Sequence, residues 1–223
     1  IGEYVEKGEK DGARILGAHL EGPFIAKKYC GAQDPQYIVT PSVEVFEEFN
    51  KACRGNIRMV TLAPEEDKGG LVERLTSLNV TASAGHTNAC YQDVTDGIKN
   101  GLKCVTHTYN VQSPLHHREI GTVGSALLMD DLYTEIIADG IHVSVPAMKL
   151  LIKNKPKRVA CERPSGKIYG IQAENNQKGS VNTRYGRTRP QRVRVLSRIG
   201  PEIALSKVSR ILHTDCATLN VIG

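Results

Sequence analysis

His19-Leu20-Glu21-Gly22-Pro23-Phe24 is the stretch whose reading decides the fold. It closes an apolar run, Ala13 to Ala18, that reads as a buried strand. A buried carboxylate is costly unless it is paired or bound to metal, so Glu21, where the strand gives way to Gly-Pro, requires a partner. Two histidines stand in the same kind of place: His86 in Ser83-Ala84-Gly85-His86-Thr87 and His107 in Val105-Thr106-His107-Thr108. One carboxylate and two imidazoles at the ends of three successive strands suit a zinc-like divalent ion with an open position for water. Each has a plainer reading when taken singly. A strand-end His is commonly a satisfied polar group, and Glu21 could pair with Lys27 or Lys28.

Outward from this stretch the chain alternates. Strands are expected over Ala13–Leu20, Ile57–Ala63, Val80–Gly85, Lys103–His107, Tyr133–Ala138 and Lys157–Cys161. Helices are expected over Ser42–Arg54, Pro64–Leu78, Asn88–Asn100 and Pro146–Asn154, with loops at Glu21–Pro41 and Tyr109–Gly121. Strands alternating with helices predict parallel βαβ pairing. Polar residues after many different strands favour a (β/α) barrel, whose chemistry sits at the C-terminal ends of its strands. No Gly-rich dinucleotide fingerprint supports the open-sheet alternative.

The 223 residues are 40% hydrophobic and 24% charged, a globular balance. No run of about 18 apolar residues exists, so no membrane span is expected. The charged start, Ile1 to Lys10, has no apolar h-region and no Met, so the expectation is a chain without a secretory signal, a fragment or processed piece. Six cysteines without a CxxC pair read as free thiols of a cytoplasmic protein. Charge is uneven: residues 151–223 hold 15 Lys/Arg against 4 Asp/Glu, whereas residues 1–150 hold 14 against 20.

The motifs H-L-E-G-P-F at 19–24, K-K-Y-C-G-A-Q at 27–33, S-A-G-H-T at 83–87, T-H-T-Y-N at 106–110, S-P-L-H-H-R-E at 113–119 and A-D-G-I-H-V at 138–143 occur in that order. Together they resemble the N-acetylglucosamine-6-phosphate deacetylases of the amidohydrolase superfamily, over about residues 11–155. The resemblance implies an α/β fold: a partial TIM barrel of the metal-dependent amidohydrolase type, lacking the N-terminal sandwich and the first barrel strand with its His-x-His. It implies hydrolysis of the acetamide of N-acetylglucosamine 6-phosphate, and Glu21, His86 and His107 as metal ligands. Zinc is the expected ion, with iron, cobalt or manganese as alternatives. His142 resembles the substrate-binding histidine and Arg118 the arginine that takes the sugar phosphate; Ala32, Asn110 and Val111 fall where the substrate is lined. The implied partner is a phosphorylated amino sugar, with a homodimer left open and neither membrane nor nucleic acid expected.

Two departures bear on activity. The second half of the T-H-T-Y-N region reads Asn110-Val111-Gln112, where the family favours Asn-Ala-Met. The family's catalytic Asp follows the strand that here ends Val159-Ala160-Cys161, and Glu162 is the nearest carboxylate. The catalytic group is therefore unassigned and impaired turnover is expected. The expected domains are a partial barrel at 1–162, a divergent Arg-rich segment at 163–209, disordered or frame-disturbed, and the remnant of a last barrel helix at 210–223. The competing reading is a catalytically dead remnant whose basic segment binds a polyanion or nucleic acid. Few aromatics interleave there, Tyr169 and Tyr185, which weakens it. A related amidohydrolase acting on another amide is a third reading.

Overall fold

The computed structural model describes residues 2–7, 15–162 and 192–197. Six strands run parallel: β1 (Ile15–Glu21), β2 (Ile57–Leu62), β3 (Thr81–Ala84), β4 (Leu102–Val105), β5 (Tyr133–Ile137) and β6 (Val159–Glu162). From β2 to β6 each pairs with its predecessor in the chain, and β7 (Arg192–Ser197) lies along the other edge of β1, so the sheet order is β6-β5-β4-β3-β2-β1-β7. Successive parallel neighbours joined by crossovers are the winding of a (β/α) barrel. The architecture is a partial one, as the motifs imply.

The helices are α1 (Gly2–Lys7), α2 (Val43–Ala52), α3 (Leu71–Ser77), α4 (Tyr91–Asn100), α5 (Gly121–Leu128) and α6 (Val145–Asn154). Ser42 Oγ accepts from Val45 N at 3.3 Å and starts α2, which buries Phe46. Leu71, Val72 and Leu75 of α3 and Val94 of α4 pack with Leu20, Val60, Leu62, Ala82, Ala84 and Val105 in one core. A second cluster joins Ile136 and Val159 to Met148 and Leu151 of α6. Strands covered on both faces need near-continuous apolar sequence, which is why these runs were readable.

Several elements differ from the sequence reading, the short helix α1 among them. Pro64–Leu78 is not one helix: a 3-10 turn spans Pro64–Glu66, and α3 starts afresh at Leu71. Asp67 accepts from Leu71 N and Val72 N, both at 2.9 Å, and Gly70 adopts φ +72, so the Gly69-Gly70 pair breaks the helix and the aspartate restarts it. Helix α5 has no counterpart in the sequence reading. Its Gly121 to Ala126 are all buried, so it carries no polar face to betray a period. Within the Arg-rich span, β7 (Arg192–Ser197) pairs antiparallel with β1, Arg192 opposite Glu21. The remnant helix expected at 210–223 lies outside the described residues. Among the described residues Cys30, Cys53, Cys90, Cys104 and Cys161 are free thiols, and no helix is long and apolar enough to cross a membrane.

Candidate metal centre

Three parallel strands deliver the three side chains. Glu21 is the last residue of β1, His86 lies two residues past β3, and His107 two past β4. Glu21 Oε1 stands 2.9 Å from His86 Nε2 and 3.1 Å from His107 Nε2, and the two Nε2 atoms are 3.2 Å apart. All three residues are buried. Lys28, offered as a plainer partner for Glu21, instead reaches Asn88 Oδ1 at 3.3 Å.

The outer ring nitrogens decide what this trio can bind. His86 Nδ1 donates to the carbonyl of Tyr29 at 2.8 Å and His107 Nδ1 to that of Asn110 at 3.2 Å. A carbonyl only accepts, so Nδ1 carries the proton and, in the neutral ring, Nε2 presents a lone pair. Two lone pairs and a carboxylate oxygen then converge on one point, an arrangement that suits a cation. Ligands about 2.0–2.1 Å from a tetrahedral zinc lie roughly 3.3 Å from one another, close to the separations seen. The carbonyls of Tyr29 and Asn110 supply the outer bonds that ligating imidazoles ordinarily make.

The loops behind the trio are tightly specified. His86 and His107 have φ of +50 and +33, in the left-handed region that costs non-glycine residues of the order of 1 kcal/mol or more. Ala26 N donates to His86 O at 2.9 Å, and Gln33 Nε2 to Glu21 O at 3.3 Å. Gly31 comes so close that a Cβ there would stand 3.2 Å from His86 Cε1 and 3.4 Å from a Val111 methyl. Beneath the trio runs a buried ladder: His19 Nε2 to Thr61 Oγ1 at 2.7 Å, Thr61 Oγ1 to Thr106 Oγ1 at 2.7 Å, and Thr106 Oγ1 to Ser83 Oγ at 2.6 Å. Gly85 lets the chain before His86 settle on it; a Cβ there would meet Thr61 Cγ2 at 2.7 Å.

The other predicted residues divide into two groups. Asn110 and Val111 lie in the loop that orients His107, and Ala32 follows Gly31 on the loop that covers His86. Arg118 and His142 are exposed and their interactions are local. Arg118 Nη1 donates to His117 Nε2 at 2.9 Å, and the His116 ring lies against that of His117, centroids 4.0 Å apart and planes tilted by 43°. His142 Nδ1 lies 2.6 Å from Asp139 Oδ2, while Asp139 Oδ1 accepts from Ile141 N and His142 N. Burial would raise the Asp139 carboxyl, but these bonds from His142 and Ile141 hold it below its ordinary value. Sequence reading gave no role to Gln33, although it closes the K-K-Y-C-G-A-Q motif, and passed over Glu65, which resembles any solvated acidic turn. Pro64 directly after a strand was the available signal for Glu65.

A carboxylate and two imidazoles converging at the C-terminal ends of parallel strands make this an α/β protein of partial (β/α)-barrel architecture with a candidate metal site at the mouth of the sheet. Comparison with known proteins narrows the class: the chain is similar to N-acetylglucosamine-6-phosphate deacetylases. It is 46% identical to that of Bacillus subtilis over 140 residues, 62% of this chain and 35% of the relative. It is 38% identical to that of Lysinibacillus sphaericus over 148 residues, covering 66% and 38%. The crystal structure of the Thermotoga maritima deacetylase matches with a TM-score of 0.69 at 30% identity, over 90% of this chain and 55% of that one. An Asp-to-Ala variant of the Mycobacterium smegmatis enzyme, in complex with N-acetyl-D-glucosamine-6-phosphate, matches with a TM-score of 0.67 at 30% identity over 72% and 41%. No family model matches. The chain thus spans little more than a third of the length of these curated relatives.

Proposed function

We propose that the chain carries the metal and substrate site of an N-acetylglucosamine-6-phosphate deacetylase, with weak turnover. The observation that carries the reading is the convergence of Glu21 Oε1, His86 Nε2 and His107 Nε2 within about 3 Å of one another. The likeness to named deacetylases supports the substrate. Glu21, His86 and His107 are the proposed ligands of one divalent ion, zinc the first choice on its nitrogen and oxygen donors. Such an ion supplies Lewis acidity, acidifying a water and polarising an acetamide carbonyl.

The chain's own residues then have separate tasks. Ala32, Asn110 and Val111 line the sugar. Arg118 takes the phosphate with its planar fork of donors, and His142, held by Asp139, meets the substrate from the loop after β5. Amide hydrolysis also needs a group that moves a proton from water to the leaving amine. Glu162, at the C-terminal end of β6, is the nearest candidate by position. A glutamate is one methylene longer than the aspartate used in the family, and displacement of about 1 Å can cost on the order of a hundredfold.

Acetate release from N-acetylglucosamine 6-phosphate by the zinc-loaded chain tests this. Turnover on the order of a hundredfold below an intact relative is expected, and abolished in His86→Ala, which also loses bound zinc by elemental analysis. Full turnover would overturn the weak-turnover reading. Unchanged zinc in His86→Ala would overturn the metal assignment.

A further inference from the structure

Resting on the proposed metal reading, we infer that Glu65 is a positioning residue for the centre: through Thr87 and Asn88 its carboxylate holds the left-handed turn that aims His86 Nε2 at Glu21. His86 at φ +50 does not stay there by preference. The residues that follow it are held from outside. Asn88 N donates to Glu65 Oε1 at 2.6 Å, and the Thr87 hydroxyl donates to Glu65 Oε2. The same hydroxyl accepts from Ala89 N at 3.0 Å, so both its hydrogen and a lone pair are engaged. Thr87 is fully buried, and its backbone is tied to the next loop, N to Val111 O at 3.3 Å and O from Ser113 N at 3.0 Å.

The clamp reaches both histidine loops. The stretch Val111–Ser113 that holds Thr87 follows Asn110, whose carbonyl orients His107. Glu65 itself sits in the 3-10 turn after β2, anchored by Ala63 N on Phe24 O at 2.9 Å, and Phe24 belongs to the loop leaving Glu21. One carboxylate therefore links the exit of β2 to the turns that carry the ligands. Burial pushes its carboxyl group up, and the bonds from Thr87 and Asn88 oppose that shift. Charge-assisted bonds of this kind are roughly twice as strong as neutral ones. A glutamine has the same shape but no charge, and its NH2 can face Thr87 only as a donor, so the charge-assisted bond from the Thr87 hydroxyl is lost.

The test compares the wild-type chain with Glu65→Gln, Glu65→Ala, Thr87→Val and Thr87→Ser. Zinc affinity is measured by chelator competition, the cobalt(II) visible spectrum reports ligand geometry, and the metal-free thermal midpoint reports stability. Zinc binding is expected to weaken on the order of tenfold or more in Glu65→Gln and Thr87→Val, as for other residues behind metal ligands. The cobalt spectrum should change with it, and Thr87→Ser, which keeps the hydroxyl, should stay near wild type. If Glu65→Ala fails to fold, Glu65→Gln and the Thr87 pair decide. Affinity within twofold of wild type and an unaltered cobalt spectrum, whatever the thermal midpoint, would overturn the inference. A wild-type chain that binds no zinc would overturn the metal reading, a result distinct from equal binding by all variants.

Discussion

Gly31→Ala should weaken the metal centre without touching a ligand, and Gly55→Ala provides the control. Both glycines sit in the left-handed region, at φ +60 and +70. Placing alanine there costs roughly 1–2 kcal/mol in either case. The surroundings differ. A Cβ at Gly55 meets nothing within 4 Å, whereas one at Gly31 stands 3.2 Å from His86 Cε1 and 3.4 Å from a Val111 methyl. Comfortable carbon contacts lie at about 3.5–4.0 Å, so the His86 ring must give by a few tenths of an ångström. That ring is pinned by Tyr29 O on one nitrogen, so the shift falls on Nε2. Sites of this kind tolerate about 0.5 Å of misplacement, and a fall in zinc affinity on the order of tenfold is expected. For a chain of this length each kcal/mol lowers the thermal midpoint by roughly 2–4 °C. Both variants should therefore melt a few degrees early in EDTA, and only Gly31→Ala should lose zinc affinity in chelator competition. Equal zinc affinity in the two variants would refute the claim that Gly31 packs on His86.

Two other outcomes are expected. Arg118→Ala should weaken binding of a phosphorylated amino sugar by about 1.5–3 kcal/mol while leaving its unphosphorylated counterpart unchanged, measured by calorimetry; equal losses would remove Arg118 from the phosphate. Burial pushes the Cys161 thiol up to about 11 from 9.0. Between those values the unfolded thiol ionises while the folded one keeps its proton, so the folded state binds more protons and stability falls as pH rises through that window. Relative to Cys161→Ala, the wild type should lose on the order of 2 kcal/mol of unfolding free energy between about pH 9 and 11 in urea titrations; parallel curves would show that the thiol is not shielded.

The trio was legible because burial writes itself into sequence: an apolar run that ends in His or Glu is a strand arriving at a site. The six parallel strands were legible for the same reason, their runs being apolar on both faces. What failed was whatever depends on a partner distant in sequence. Glu65-Glu66-Asp67 reads as a solvated turn, and only the fold sets Thr87 against the first carboxylate while the third caps α3. Helix α5 failed for the opposite reason, its residues Gly121 to Ala126 being buried all round. The pairing of β7 with β1 joins stretches separated by most of the chain, beyond any local pattern.

The ladder His19–Thr61–Thr106–Ser83 has a consequence for how this sequence can drift. Each middle hydroxyl owns one proton, so it gives to one neighbour and takes from the other. The direction of donation is thus a property of the whole row: it runs from the imidazole to the serine or from the serine to the imidazole. Replacing Thr61 alone by valine takes one hydrogen-bond partner from each of the two groups beside it in a dry interior, at a cost of about 1–3 kcal/mol. Exchanging the row together for apolar side chains of matching volume removes these three bonds without leaving a half-bonded hydroxyl inside the row. Substitutions here should travel as a set, and in related chains these four positions should be polar together or apolar together.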